Sequence, residues 1–155
     1  MRRAWQTALP LAAAALLAAC AVAPAPGNSY VAQLQQPADA EVLAGGMADF
    51  VAARLPAAST TLALDPTPSA QEGNAVTPAL AAALRRRGFA IAESGQPAPA
   101  GAHHLRYLVT PLDAGVLVRL TIDQSTEGAR FFARNSASAL QSGGPTTVTQ
   151  AEAAP

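Results

Sequence analysis

Few side chains in this 155-residue chain are of the types that do chemistry. The single cysteine is Cys20, directly behind Leu17-Ala18-Ala19. A thiolate is a good nucleophile, so Cys20 is the first candidate for covalent chemistry. The two histidines, His103 and His104, are adjacent. On a regular strand, neighbouring side chains point to opposite faces, so this pair cannot share one metal ion. The nearest carboxylates in sequence, Glu93 and Asp113, lack ligand spacing, and no metal site is expected. Three arginines stand together at Arg85-Arg86-Arg87. They suit the C-terminal turn of a helix, where cations are favoured, better than an anion or nucleic-acid site. There is no Gly-x-Ser-x-Gly, no His-Glu-x-x-His and no glycine loop to cradle phosphate. The carboxylates are scattered, so no acid–base couple is suggested. The expectation is a chain with no catalytic residue, no cofactor and no small-molecule substrate.

Cys20 gains meaning from its surroundings. Arg2 and Arg3 open the chain, and an apolar run follows from Ala8 to Ala19, interrupted by Pro10. A positive start, an apolar middle and a small-residue boundary make a secretory signal over residues 1–19. The run is roughly a dozen residues, short of the ~20 a membrane-spanning helix needs. Leu17-Ala18-Ala19-Cys20 resembles the lipobox of bacterial lipoproteins. That resemblance implies a diacylglyceryl group on Cys20 and cleavage just before it. It also accounts for an odd cysteine in an exported protein and removes the thiol from any Cys–His mechanism. Ala21 stands where aspartate would resemble an inner-membrane retention signal. The expected location is therefore the outer membrane, facing the periplasm.

Composition bounds the remainder. Half of the residues are hydrophobic, but only 5% are aromatic, so the core must be small and lined with alanine. Ten basic and ten acidic residues balance. Loss of Arg2 and Arg3 with the signal leaves a slightly acidic protein, without the basic face that nucleic acid requires.

The elements that would position these residues follow in order. Residues 20–38 read as a flexible tether rich in Ala, Pro, Gly and Gln, with Tyr30, Val31 and Leu34 as its only sizeable apolar groups. A docking patch at those three is the less favoured alternative. Asp39 to Leu55 reads as a helix with Leu43, Met47, Phe50 and Val51 at helical spacing. Gly45-Gly46 inside it suggests close packing against a sheet rather than a hinge. A strand follows at Thr60–Asp65. A second helix should be capped by Thr77, with Pro78 at its first position, and end at Arg87-Gly88. Phe89–Ala92 is a strand. Three more strands are expected at His104–Thr110, Val116–Asp123 and Ala129–Asn135, the middle one with the clearest alternation of period two. The fold class is α/β (α+β): a two-layer domain over residues 39–136, with a mixed or mainly antiparallel sheet of four to five strands and two helices on one face. Leu43, Phe50, Leu62, Leu64, Leu80, Leu84, Phe89, Ile91, Val116, Val118 and Leu120 form the expected core. Residues 137–155 read as a largely disordered tail, with a short strand possible at Thr146–Thr149.

The order of segments resembles a known family. The lipobox and short tether lead into Ala48-Asp49-Phe50-Val51-Ala52-Ala53-Arg54-Leu55 and a strand at 60–64. Ala79-Leu80 through Leu84-Arg85-Arg86-Arg87-Gly88-Phe89-Ala90 comes next. Leu105-Arg106-Tyr107-Leu108-Val109-Thr110 and Val116-Leu117-Val118-Arg119-Leu120 complete it. Together they are similar to the TrbH-type conjugal transfer proteins. The resemblance implies a component of the mating-pair formation apparatus, a type IV secretion system that moves plasmid DNA between bacteria. It implies the membrane, through the lipid at Cys20, and secretion-channel subunits as partners. No catalytic residue carries over; only the lipid-bearing cysteine maps, onto Cys20. A generic envelope lipoprotein that binds a cell-wall or assembly protein is the alternative.

Overall fold

The computed structural model describes residues 27–68, 73–92, 96–141 and 144–150. Cys20, the signal over 1–19 and the last residues, 151–155, lie outside the described residues.

The chain runs β1 (Tyr30–Val31), α1 (Asp39–Ala52), a single 3-10 turn, β2 (Thr61–Leu64), α2 (Val76–Arg86), β3 (Ala90–Ile91), β4 (His103–Leu112), β5 (Gly115–Ile122), β6 (Thr126–Ala133) and β7 (Thr146–Gln150). Among the described residues the sheet has seven strands rather than four to five; six lie in the order β3-β2-β4-β5-β6-β7, and β1 pairs with β4 off that path. The run from β4 to β7 is antiparallel, while β2 lies parallel to both β3 and β4. β1 is parallel to β4 and lies beside its second half, at Leu108 and Val109, while β2 lies beside its first three residues. The mixed two-layer α+β class expected above is the one observed.

Local sequence explains the elements. On β5, Val116, Val118, Leu120 and Ile122 are buried, while Leu117 is half-buried and Arg119 exposed. That alternation sets one face of the sheet against the helices. On α1, Leu43, Met47, Phe50 and Val51 are buried as one stripe. On α2 the stripe is Val76, Leu80, Ala83 and Leu84. Both helices cover the same face. Thr77 of α2 reaches Tyr107 of β4, and Phe50 of α1 packs over Gly128 of β6. Gly46 gives close packing rather than a hinge, since a Cβ there would come within 2.5 Å of the Phe132 ring. Gly88, at φ 90°, turns the end of α2 into β3 in the left-handed conformation that glycine alone adopts freely.

Several expectations need correction. α1 ends at Ala52, three residues before Leu55. The cap of α2 is supplied by Asn74, not Thr77: its side-chain oxygen accepts the Thr77 N–H at 2.9 Å and the Thr77 hydroxyl at 3.0 Å. The helix therefore begins at Val76, two residues before Pro78. Leu64 and Ile91 pack against the core only half-buried, each as the last residue of a short strand. β6 begins at Thr126, since a tight turn with Asp123 (φ 49°) and Gln124 (φ 60°) replaces the longer loop expected there.

Two segments outside the expected 39–136 limits belong to the fold. Within the segment read as tether, Ser29 is fully buried, its N–H donates to the Pro66 carbonyl, and its hydroxyl accepts the Tyr107 N–H. Within the segment read as tail, the chain turns at Asn135, buries Leu140 and returns as β7. An ion pair fastens that turn to α1. Both oxygens of Asp39, 2% exposed, accept the two terminal nitrogens of Arg134 at 3.2 and 2.6 Å.

Candidate binding surface

The helices leave the second face of the sheet uncovered by any described element. The register places Tyr30, Leu108, Arg119, Ala129 and Thr147 in one row across it. Thr110, Leu117 and Phe131 form the next row. Tyr30 and Phe131 are 47% and 37% exposed. Beside Phe131 the return of the chain at 141 and 144–145 walls a groove of about 560 Å³, floored by Leu117, Ala129, Phe131 and Ala133. The part of this face around Tyr30, Leu108, Leu117 and Phe131, with Arg119 exposed among them, suits a protein surface better than a small ligand.

The sheet margins are also open. At one end, β3 has two residues; at the other, β7 has five. The outward N–H and C=O groups of β7 have no partner among the described residues, as befits the last strand of the order. Unpaired strand edges template the addition of another strand.

The histidines mark a third region. His103 and His104 lie side by side on β4, but each is held by its own aspartate. His103 Nδ1 meets Asp123 Oδ2 at 2.5 Å, and His104 Nδ1 meets Asp65 Oδ1 at 2.9 Å. Asp65 follows β2 and is almost fully buried, with only 7% of its side chain exposed. Asp123 sits in the turn after β5 and also accepts the His104 backbone N–H at 2.8 Å. These contacts pin the start of β4 to both neighbouring strands. Beside them, Asp65, His104, Arg106, Thr121 and Asp123 line a cleft of about 270 Å³. Arg106 donates to the Thr121 hydroxyl at 3.5 Å. Among the described residues, no group of three or more His, Cys, Asp and Glu side chains is placed to hold a metal ion. Both aspartate partners are remote in sequence, so no local spacing signals them. Asp123 was within reach of reasoning: a hairpin closed at Leu112 and Gly115 puts residue 104 opposite residue 123.

The arginine run is used structurally at one position. Arg87 pairs with Asp49 at 2.5 Å and donates to the carbonyls of Gly45 and Ala83, joining α2 to α1. Arg85 and Arg86 are exposed in the last turns of α2. Elsewhere in the core, burial pushes the Tyr107 phenol above its ordinary value of 10.0; hydrogen bonding to Thr77 and Ser29 opposes the shift, and the Asp65 charge adds to it. The Tyr107 and Thr77 hydroxyls lie 2.6 Å apart.

Residues 24–152 match the family of conjugal transfer protein TrbH. The chain belongs to the TrbH family. It is thus a conjugal transfer component, as the order of its segments implied. The match spans β1 through β7, including most of the stretch read as tether and most of the one read as tail. No curated protein and no solved structure matches the chain. No described helix of this TrbH protein is long and apolar enough to cross a membrane.

Proposed function

We propose that this TrbH protein is a lipid-anchored subunit of the conjugative type IV secretion apparatus, held at the outer membrane facing the periplasm through Cys20 and acting by binding other subunits without turnover. The family match carries the reading, because it ties nearly the whole fold to conjugal transfer. The uncovered sheet face and the open β7 edge supply surfaces for subunit contacts. The fold is described from Gly27, seven residues beyond Cys20. Fully extended, seven residues span at most about 25 Å. An anchored domain is therefore confined near the bilayer, which raises its effective concentration beside a membrane-embedded channel.

The test has two parts. Cells labelled with radioactive palmitate should label the wild-type chain and not Cys20→Ser. Purification of solubilised envelope complexes should recover transfer-channel subunits with the wild-type chain. Equal labelling of both chains would refute the anchor. Recovery of the chain without any channel subunit would refute the binding role.

A further inference from the structure

β7 reads Thr146-Thr147-Val148-Thr149-Gln150. It is the longest open edge of the sheet, and residues 147–150 are exposed. Natural edge strands are usually blunted by a charge, a proline, a bulge or extreme shortness. This one has no charge and no proline, and its pairing with β6 runs without a break through all five residues. The strand is also symmetric in type about its centre. Read antiparallel against itself, Val148 meets Val148, Thr147 meets Thr149, and Thr146 meets Gln150. The side chains therefore match under a two-fold axis through Val148, a self-complementary patch of the kind that two-fold symmetry requires. An antiparallel neighbour also continues the pattern already set by β4, β5, β6 and β7.

We infer that β7 pairs with β7 of a second copy of this chain, joining the two sheets into one across a two-fold axis at Val148. This deepens the binding role proposed above and is read independently of it, on purified chain without a mating assay. Each outward-facing residue of the edge then exchanges backbone hydrogen bonds with the partner, as in an ordinary antiparallel ladder. Thr–Thr and Val–Val cross-strand contacts add side-chain packing. The uncovered faces of the two sheets become continuous, so the surface offered to other subunits doubles.

The geometry gives a direct test, because the axis sets residue 148 against itself. The full-length chain in detergent should sediment as a dimer. Val148→Lys and Val148→Glu each place like charges directly opposite one another, and each alone should raise the dimer dissociation constant at least tenfold. Mixed in equal amounts, the two variants should recover dimerisation to within about threefold of wild type. Directly opposed residues have Cα atoms within disulfide range. Val148→Cys should therefore cross-link under mild oxidation about tenfold more than Thr147→Cys, whose counterpart lies across from residue 149. Circular dichroism of each variant checks that the fold is retained. A monomeric wild-type chain, dimers undiminished by either charge, or no recovery on mixing would overturn the pairing.

Discussion

Replacing Arg134 with methionine isolates the ion pair that ties the segment after β6 to α1. The Asp39 side chain is 2% exposed and that of Arg134 10% exposed, and the two meet through two hydrogen bonds. Arg134 also donates to the Ser138 carbonyl at 2.7 Å, which holds the turn that brings the chain back as β7. Methionine keeps much of the apolar length of the side chain and removes the charge. Asp39 is then left buried and unpaired, and breaking a buried pair in this way costs about 3–5 kcal/mol. Replacing both partners with neutral groups of similar size removes the uncompensated charge, so Asp39→Asn combined with Arg134→Met should recover at least about 2 kcal/mol of that loss. The assay is urea denaturation of the purified chain, with all four members of the cycle measured at one pH. Arg134→Met alone should move the midpoint well below wild type, and the double variant should move it back. A single-variant loss under about 1 kcal/mol, or a double variant that loses the sum of the singles, would refute the claim that this pair is a buried fastening.

Three further outcomes follow from the packing. A Cβ at Gly128 would run into the Phe50 ring; Gly128→Ala should therefore cost about 1–3 kcal/mol by overpacking, and a neutral result in the same melts would move Phe50 off the sheet. Leu84, fully buried on α2, should cost about 2–5 kcal/mol when cut to alanine, and a loss under about half a kcal/mol would take that helix out of the core. Burial raises the Tyr107 phenol above 10.0, so above that pH the unfolded chain gives up a proton that the folded chain keeps; stability should fall as pH rises through the raised value, and Tyr107→Phe should remove that alkaline loss.

How much of this was legible in the sequence depended on the length of each pattern. β5 could be read because four alternating positions, Val116, Val118, Leu120 and Ile122, face one core. α2 could be read because its apolar stripe, basic end and Gly88 agree with one another. β1 is not legible because two residues carry no period; its place depends on remote partners, the Pro66 carbonyl for Ser29 and the backbone of Val109 for Ala32. β7 is only weakly legible, since threonines signal an edge weakly and the ladder is made with β6. The Asn74 cap is hidden in the sequence because Thr77-Pro78 offers the same chemistry three residues later. Cys20 stands apart: it lies outside the described residues, and the lipid its motif implies is chemistry that no packing argument reaches.

The central claim, that this TrbH protein works in conjugation from a lipid anchor, is tested most directly by transfer frequency. The gene is deleted in the donor, which is then complemented with the wild-type chain or with Cys20→Ser at matched protein levels. Deletion should lower transfer at least a hundredfold, the wild-type chain should restore it, and Cys20→Ser should not. Transfer unchanged by the deletion, or restored equally by Cys20→Ser, would contradict the account.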